Sequence, residues 1–219
     1  MERGLGWARF YWRQRARQGA VPGSPQRVNS EPVSMVVSPD GRYVVTVNAG
    51  YGTFESKYEQ SLAVMDAQTG RVTDFPDDRT AMTGKQTLYS GLAFSPSGHY
   101  LYASMASLTD PTGEQGAGNR EQNTGNREQG TAKTGNGIAV YGFDAGRITP
   151  ERLIPIGLQK LEGTRRTKLV GGKDGTMGVP YPAAIAVVEP GPFVGGELLV
   201  ADNLSDDALL IMTATGKAV

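Results

Sequence analysis

The sequence predicts an all-β fold, a partial β-propeller of about three four-stranded blades. Three observations predict it. A Ser-Pro-x-Gly turn sits between two apolar runs at Ser38-Pro39-Asp40-Gly41, before Tyr43 to Val47, and again at Ser95-Pro96-Ser97-Gly98, before Tyr100 to Tyr102. Each copy continues to a further apolar segment and a Gly-basic turn, Leu62 to Asp66 with Thr69-Gly70-Arg71 and Ile138 to Tyr141 with Ala145-Gly146-Arg147. A looser copy runs from Ile185 to Val188 through Pro190 and Glu197 to Val200, then Leu209 to Met212 with Thr215-Gly216-Lys217. Strand, tight turn, strand, loop, strand, tight turn, strand is the order within one blade.

Residues 1–30 stand apart as a basic-aromatic leader. Arg3, Arg9, Arg13, Arg15 and Arg17 crowd around Trp7, Phe10, Tyr11 and Trp12. Trp7, Phe10 and Tyr11 have helical spacing, but an isolated helix this short is marginal in water, so a poorly ordered leader is expected.

The first blade is expected over 31–88. Val33, Met35 and Val37 alternate with Ser34, Val36 and Ser38, which predicts a strand largely buried on both faces. Pro39 presets φ and Gly41 tolerates positive φ, giving a tight turn. Tyr43 to Val47 is rich in β-branched and aromatic residues and predicts the second strand. A loop reaches Gln60. Ser61 to Met65 forms the third strand, and Arg71 to Phe75 a short outer one.

The second blade is expected over 89–159. It is broken by 108–137, a tract of Gly, Asn, Gln, Glu, Thr and Arg in which Gly118 to Gln122 recurs as Gly125 to Gln129. Such a composition buries too little to offset ordering entropy, so a disordered insertion is expected. The blade resumes at Gly137 and closes with Ile148 and Leu153 to Ile156. A basic, Gly-rich connector follows at 160–180, and an incomplete third blade at 181–219.

Composition excludes several functions. There are 22 basic and 22 acidic side chains, so no global field favours nucleic acid or an anionic membrane. With no cysteine, disulfides, thiolate nucleophiles and Cys-ligated metals are excluded. No apolar run approaches the roughly 18 residues of a membrane span, and the start lacks the apolar core of a secretory signal.

Ser-Pro-Asp-Gly-Arg-Tyr before an apolar strand, then Ser61 to Asp66 and Thr69 to Val72, resembles the bacterial YVTN-type β-propeller repeat. Ala201-Asp202-Asn203-Leu204-Ser205-Asp206-Asp207 before Leu209 to Met212 looks like the same repeat. Asn48-Ala49-Gly50-Tyr51-Gly52 is similar to the first blade of a subgroup that fuses the propeller to a C-terminal phosphoesterase-like domain. The resemblance covers about 31–219, apart from the insertion. It implies a seven-bladed ring of which this chain is a fragment, a possible fused downstream domain, and export. The third copy departs from it with Glu189-Pro190-Gly191-Pro192, and nothing resembles a phosphoesterase, so no catalytic residue carries over.

Strands alternate in direction, so the short first and third turns share one face of the disc. The longer connections, 48–60, 76–88, 105–136, 157–181 and 201–207, share the other. Binding residues concentrate on loops held by a rigid scaffold, so the long-loop face is the expected binding face, with Asn48, Tyr51, Asp202, Asn203, Asp206 and Asp207 as its candidates. Asp202, Asp206 and Asp207 with Asn203 and Ser205 form the one dense oxygen cluster, of a kind suited to Ca²⁺ or Mg²⁺, but its spacing is not that of an EF-hand loop, and no metal or cofactor is assigned.

His99 is the only histidine and stands where Arg42 stands in the first copy, an exposed strand start. Gly171 to Thr176 lacks the Walker spacing and reads as a solvated linker. Lys160, Arg165, Arg166 and Lys168 read as a solvated charge run.

The expected function is a non-catalytic scaffold or interaction module that binds a protein partner, or a fused domain, through the long-loop face. The alternatives are a propeller-type hydrolase or lactonase using a divalent cation, and a truncated propeller–phosphoesterase protein.

Overall fold

The chain was analysed as a computed structural model, which describes residues 31–49, 60–77, 87–108, 110–113, 135–163, 175–188 and 196–218. The leader, the centres of the insertion and the connector, and Tyr51 lie outside them. The described residues form strands and no helix.

Three four-stranded antiparallel sheets follow one another along the chain. The first holds β1 (Pro32–Val37), β2 (Tyr43–Asn48), β3 (Ser61–Asp66) and β4 (Val72–Pro76) in sequential order. The second holds β5 (Thr87–Phe94), β6 (Tyr100–Ala106), β7 (Gly137–Asp144) and β8 (Arg147–Pro155). A two-stranded hairpin of β9 (Gln159–Lys160) and β10 (Met177–Gly178) lies within the connector. The third sheet holds β11 (Pro182–Val188), β12 (Glu197–Asp202), β13 (Asp207–Met212) and β14 (Lys217–Ala218). This is a partial β-propeller of three blades. Their first strands are neighbours, with β5 packed between β1 and β11.

The repeated turn has a physical cause. In the first blade Ser38 N–H donates to Tyr43 O at 2.8 Å, Gly41 N–H to Ser38 O at 2.8 Å, and Tyr43 N–H to Ser38 Oγ at 2.9 Å. The second blade repeats all three contacts, Ser95 to Tyr100 O at 2.9 Å, Gly98 to Ser95 O at 2.9 Å, and Tyr100 N–H to Ser95 Oγ at 3.0 Å. Gly41 and Gly98 take φ of 71° and 74°, where a side chain would be strained. Serine thus supplies an acceptor that a turn of this shape leaves room for.

Period-two alternation sends each middle strand into two different cores. Leu101, Ala103 and Met105 of β6, with Ala139, Tyr141 and Phe143 of β7, meet Tyr43, Val45, Val47, Leu62 and Val64 of the first blade. Tyr102, Ile138, Val140 and Ile154 turn the other way and meet Leu198, Val200 and Ile211 of the third. Phe143 anchors the first core edge-on to both Tyr43 and Phe94, at centroid distances of 5.5 and 4.9 Å.

The end blades differ from the middle one. The expectation that Val33 to Val37 is buried on both faces is overturned, since Met35 is 70% and Val37 54% exposed. Only the Val36 face of β1 packs on a neighbouring core, and nothing described covers the other. The far face of the third blade is alike, with Leu199 at 43% and Val188 at 37%. The tract 108–137 is also not uniform, because Asp110, Pro111 and Gly113 are buried near its start and Gly135 to Gly137 near its end.

Candidate functional site

On the long-loop face, the ends of the second and third strands of each blade form the loop roots. In the first blade Asn48 closes β2 directly opposite Ser61, and its amide donates to Ser61 Oγ at 3.1 Å. Both residues are fully buried. In the second blade Ser107 N–H donates to Asn136 Oδ1 at 2.9 Å, while Asn136 Nδ2 donates to Ser107 O at 3.0 Å and Pro111 O at 3.3 Å. Asp110 N–H adds a bond to Ser107 Oγ at 3.1 Å. Gly135 is required here, since a Cβ would lie 2.3 Å from Pro111 O. A long polar tract therefore leaves and re-enters the blade through a locked neck.

The third blade is built otherwise. The expected loop 201–207 is corrected to a four-residue connection, because the β12–β13 ladder runs through to an Asp202–Asp207 pair. Asp206 takes φ of 56° to close it, and Asn203 and Leu204 donate backbone hydrogen bonds to Tyr181 O and Pro180 O, both at 3.2 Å. Asp202 and Asp207 are therefore strand ends rather than loop residues. Alternation from Val200 places both on the sheet face turned toward the second blade.

Asp202 is 3% exposed, and among the described residues neither of its carboxylate oxygens has a hydrogen-bond partner. Burial, with Asp207 as a second cause, pushes its carboxyl up to about 7. Asp207 Oδ1 accepts from Ser205 Oγ at 2.6 Å. Asn203 and Asp206 are exposed on the connecting turn.

Of the residues that the sequence singles out for the long-loop face, Asn48 marks the root of the first blade's loop, and Asp202 and Asp207 meet at the third. Tyr51 lies outside the described residues. Sequence reasoning missed Ser107 and Asn136. Their one visible signal was that Asn136 directly precedes the strand where the polar tract ends.

The opposite, short-turn face carries a groove between the first two blades. A cleft of about 270 Å³ is lined by Pro39, Asp40, His99, Phe143 and Asp144. Tyr43 and Ala145 join it to a second cleft of about 430 Å³, lined by Asp66, Arg71, Phe75, Arg147 and Ile148. Arg42 reaches Asp66 at 3.2 Å and lies over the Tyr43 ring. Ser38 and the Arg42 backbone both donate to Asp40, holding its carboxyl below the usual range. His99 is exposed, at the strand start where the sequence puts it. Among the described residues, no three His, Asp or Glu side chains gather as a metal cluster.

No family model and no curated protein matches the chain. Solved structures do. A candidate 6-phosphogluconolactonase from Bacteroides uniformis aligns at 16% identity and a TM-score of 0.47, over 91% of this chain and 42% of that one. Hydrazine synthase of Kuenenia stuttgartiensis aligns at 15% identity and 0.26, over 92% of this chain and 51% of that one. A functionally unknown protein from Desulfotomaculum acetoxidans aligns at 10% identity and 0.25, over 92% and 75%. The chain thus spans about half or less of the first two proteins, and likenesses this distant carry no functional conclusion.

Proposed function

We propose that the chain is a non-catalytic interaction module, a set of YVTN-type blades that binds a protein partner through the long-loop face. One observation carries this reading. The connections of the first and second blades leave that face from buried roots locked by side-chain hydrogen bonds, Asn48 to Ser61 and Ser107 to Asn136. Binding residues concentrate on loops held by a rigid scaffold, and roots fixed to a sheet at both ends give these loops such a hold.

The test exchanges 50–59 and 114–134 for short Gly-Ser links that spare the locked roots. Partners cross-linked to the native chain are expected to be lost by the exchanged chain at unchanged melting temperature. Equal recovery by both chains would refute the reading.

A hydrolase using a divalent cation is the second reading, favoured by the buried, unpaired Asp202 carboxylate. It requires further carboxylates converging on the same point from other blades. Turnover of a lactone panel that is lost in Asp202→Asn would move the function to this reading.

A further inference from the structure

Asp202 and Asp207 occupy the ladder position that Asn48 and Ser61 occupy in the first blade. Each pair joins the last residue of the second strand to the first residue of the third. Where the first blade bonds an amide to a hydroxyl and leaves only the amide oxygen unpartnered, the third pairs two acids across the ladder. Ser205 satisfies one oxygen of Asp207, and no described residue satisfies either oxygen of Asp202.

A buried carboxylate without a donor is costly, and a second one across the ladder adds repulsion. Loss of one hydrogen-bond donor would leave one unpaired acceptor. Here a whole carboxylate is orphaned beside another acid, a donor set of oxygens alone. Such a set suits a hard cation, whose remaining ligands are water and carbonyl oxygens.

We propose that the Asp202–Asp207 pair binds a Ca²⁺-class cation at the seam between the second and third blades, where the ion staples the β12–β13 hairpin in place. Pro180 and Tyr181, which accept the turn's backbone N–H groups, hold the hairpin from the connector side. The inference is independent of whether the loop face binds a partner.

The test is calorimetric titration of the chelator-treated full chain with CaCl₂ at pH 8, together with thermal melts. About one Ca²⁺ per chain is expected, with a dissociation constant on the order of 10⁻⁴ to 10⁻³ M and a saturable rise in melting temperature. Asp202→Asn is expected to weaken binding at least about tenfold, a change of about 1.4 kcal/mol. The double variant Asp202→Asn with Asp207→Ser, which rebuilds the Asn48–Ser61 pair, should abolish the response and melt at or above the calcium-free native chain. No heat with the native chain, an equal response in the variants, or an equal rise with NaCl of matched ionic strength would overturn the site. Should neither variant fold, the stoichiometry of the native chain decides: one ion supports the site and none refutes it.

Discussion

The phenol of Tyr141, in the third strand of the second blade, donates to the carboxylate of Asp77 just past the outer strand of the first, at 2.7 Å. Both residues are buried, at 1% and 5% exposure, and their bond crosses the seam between the two blades together with that from Leu88 N–H to Gln60 Oε1 at 2.6 Å. Tyr141→Phe keeps the ring in the first core and removes one donor from a buried acid. Urea denaturation should show a loss of about 1–3 kcal/mol. A change below about 0.5 kcal/mol, the usual range for an inconsequential surface substitution, would mean that Asp77 does not depend on it.

The two Ser-Pro-x-Gly serines each accept a backbone N–H through Oγ, but Ser38 Oγ also donates to the Asp40 carboxylate where Ser95 Oγ meets the Ser97 hydroxyl. Ser38→Ala and Ser95→Ala each remove the Oγ that accepts the N–H five residues on. Each is expected to destabilise by about 1 kcal/mol, Ser38→Ala the more because a charged acceptor also loses its donor, and the double variant tests coupling between turns that approach where Pro39 lies beside Gly98. A double variant much worse than the sum would show that the turns are coupled across the groove.

Two turn glycines separate backbone strain from steric overlap. Gly41 has φ of 71° and open space where a Cβ would sit, whereas Gly146 has φ of 83° and would place a Cβ 2.6 Å from the Tyr43 ring. Gly41→Ala should cost about 1–2 kcal/mol from left-handed backbone alone. Gly146→Ala should cost more, because overpacking adds about 1–3 kcal/mol and displaces the Tyr43 ring from Phe143. Equal losses at the two sites would contradict the overlap.

Stability should fall with pH across the range that Asp202 sets. Its folded value of about 7 lies above the ordinary carboxyl value of about 3.9, so the folded chain holds a proton that the unfolded chain releases between them. Stability is therefore greatest toward the acid side of that window, declines as pH rises through it, and levels off above about 7. Among the described residues, Asp207 across the ladder is the charged group that acts on it, while Lys160 and Glu162 on the β9–β10 side are exposed. Chelator-treated melts at pH 5 to 8 should show the slope, and Asp202→Asn should flatten it. A slope that survives the substitution would place its origin elsewhere.

Most of the strand order is legible in the sequence. Tyr43 to Val47 and Ser61 to Met65 became β2 and β3 with their ends nearly as expected, because β-branched runs bounded by Gly and Pro leave little alternative. Burial was less readable. Val33 to Val37 has the same apolar alternation as a buried strand, yet Met35 and Val37 are exposed, since alternation specifies two faces and not what lies against them. The acidic segment 201–207 looked like a loop because its residues are polar, but six paired positions carry the β12–β13 ladder through to Asp202 and Asp207.

The blade is written locally: repeated serine, proline and glycine at the turns encode hydrogen bonds that need no distant partner. Which neighbour each face meets is set by the packing of the blades. The fold divided the middle blade between two cores, tied Tyr141 to Asp77, and set Asp202 against Asp207 where the first blade has Asn48 and Ser61. Such pairings depend on strand register and on blade packing, which join residues far apart in the chain, and no local pattern records them.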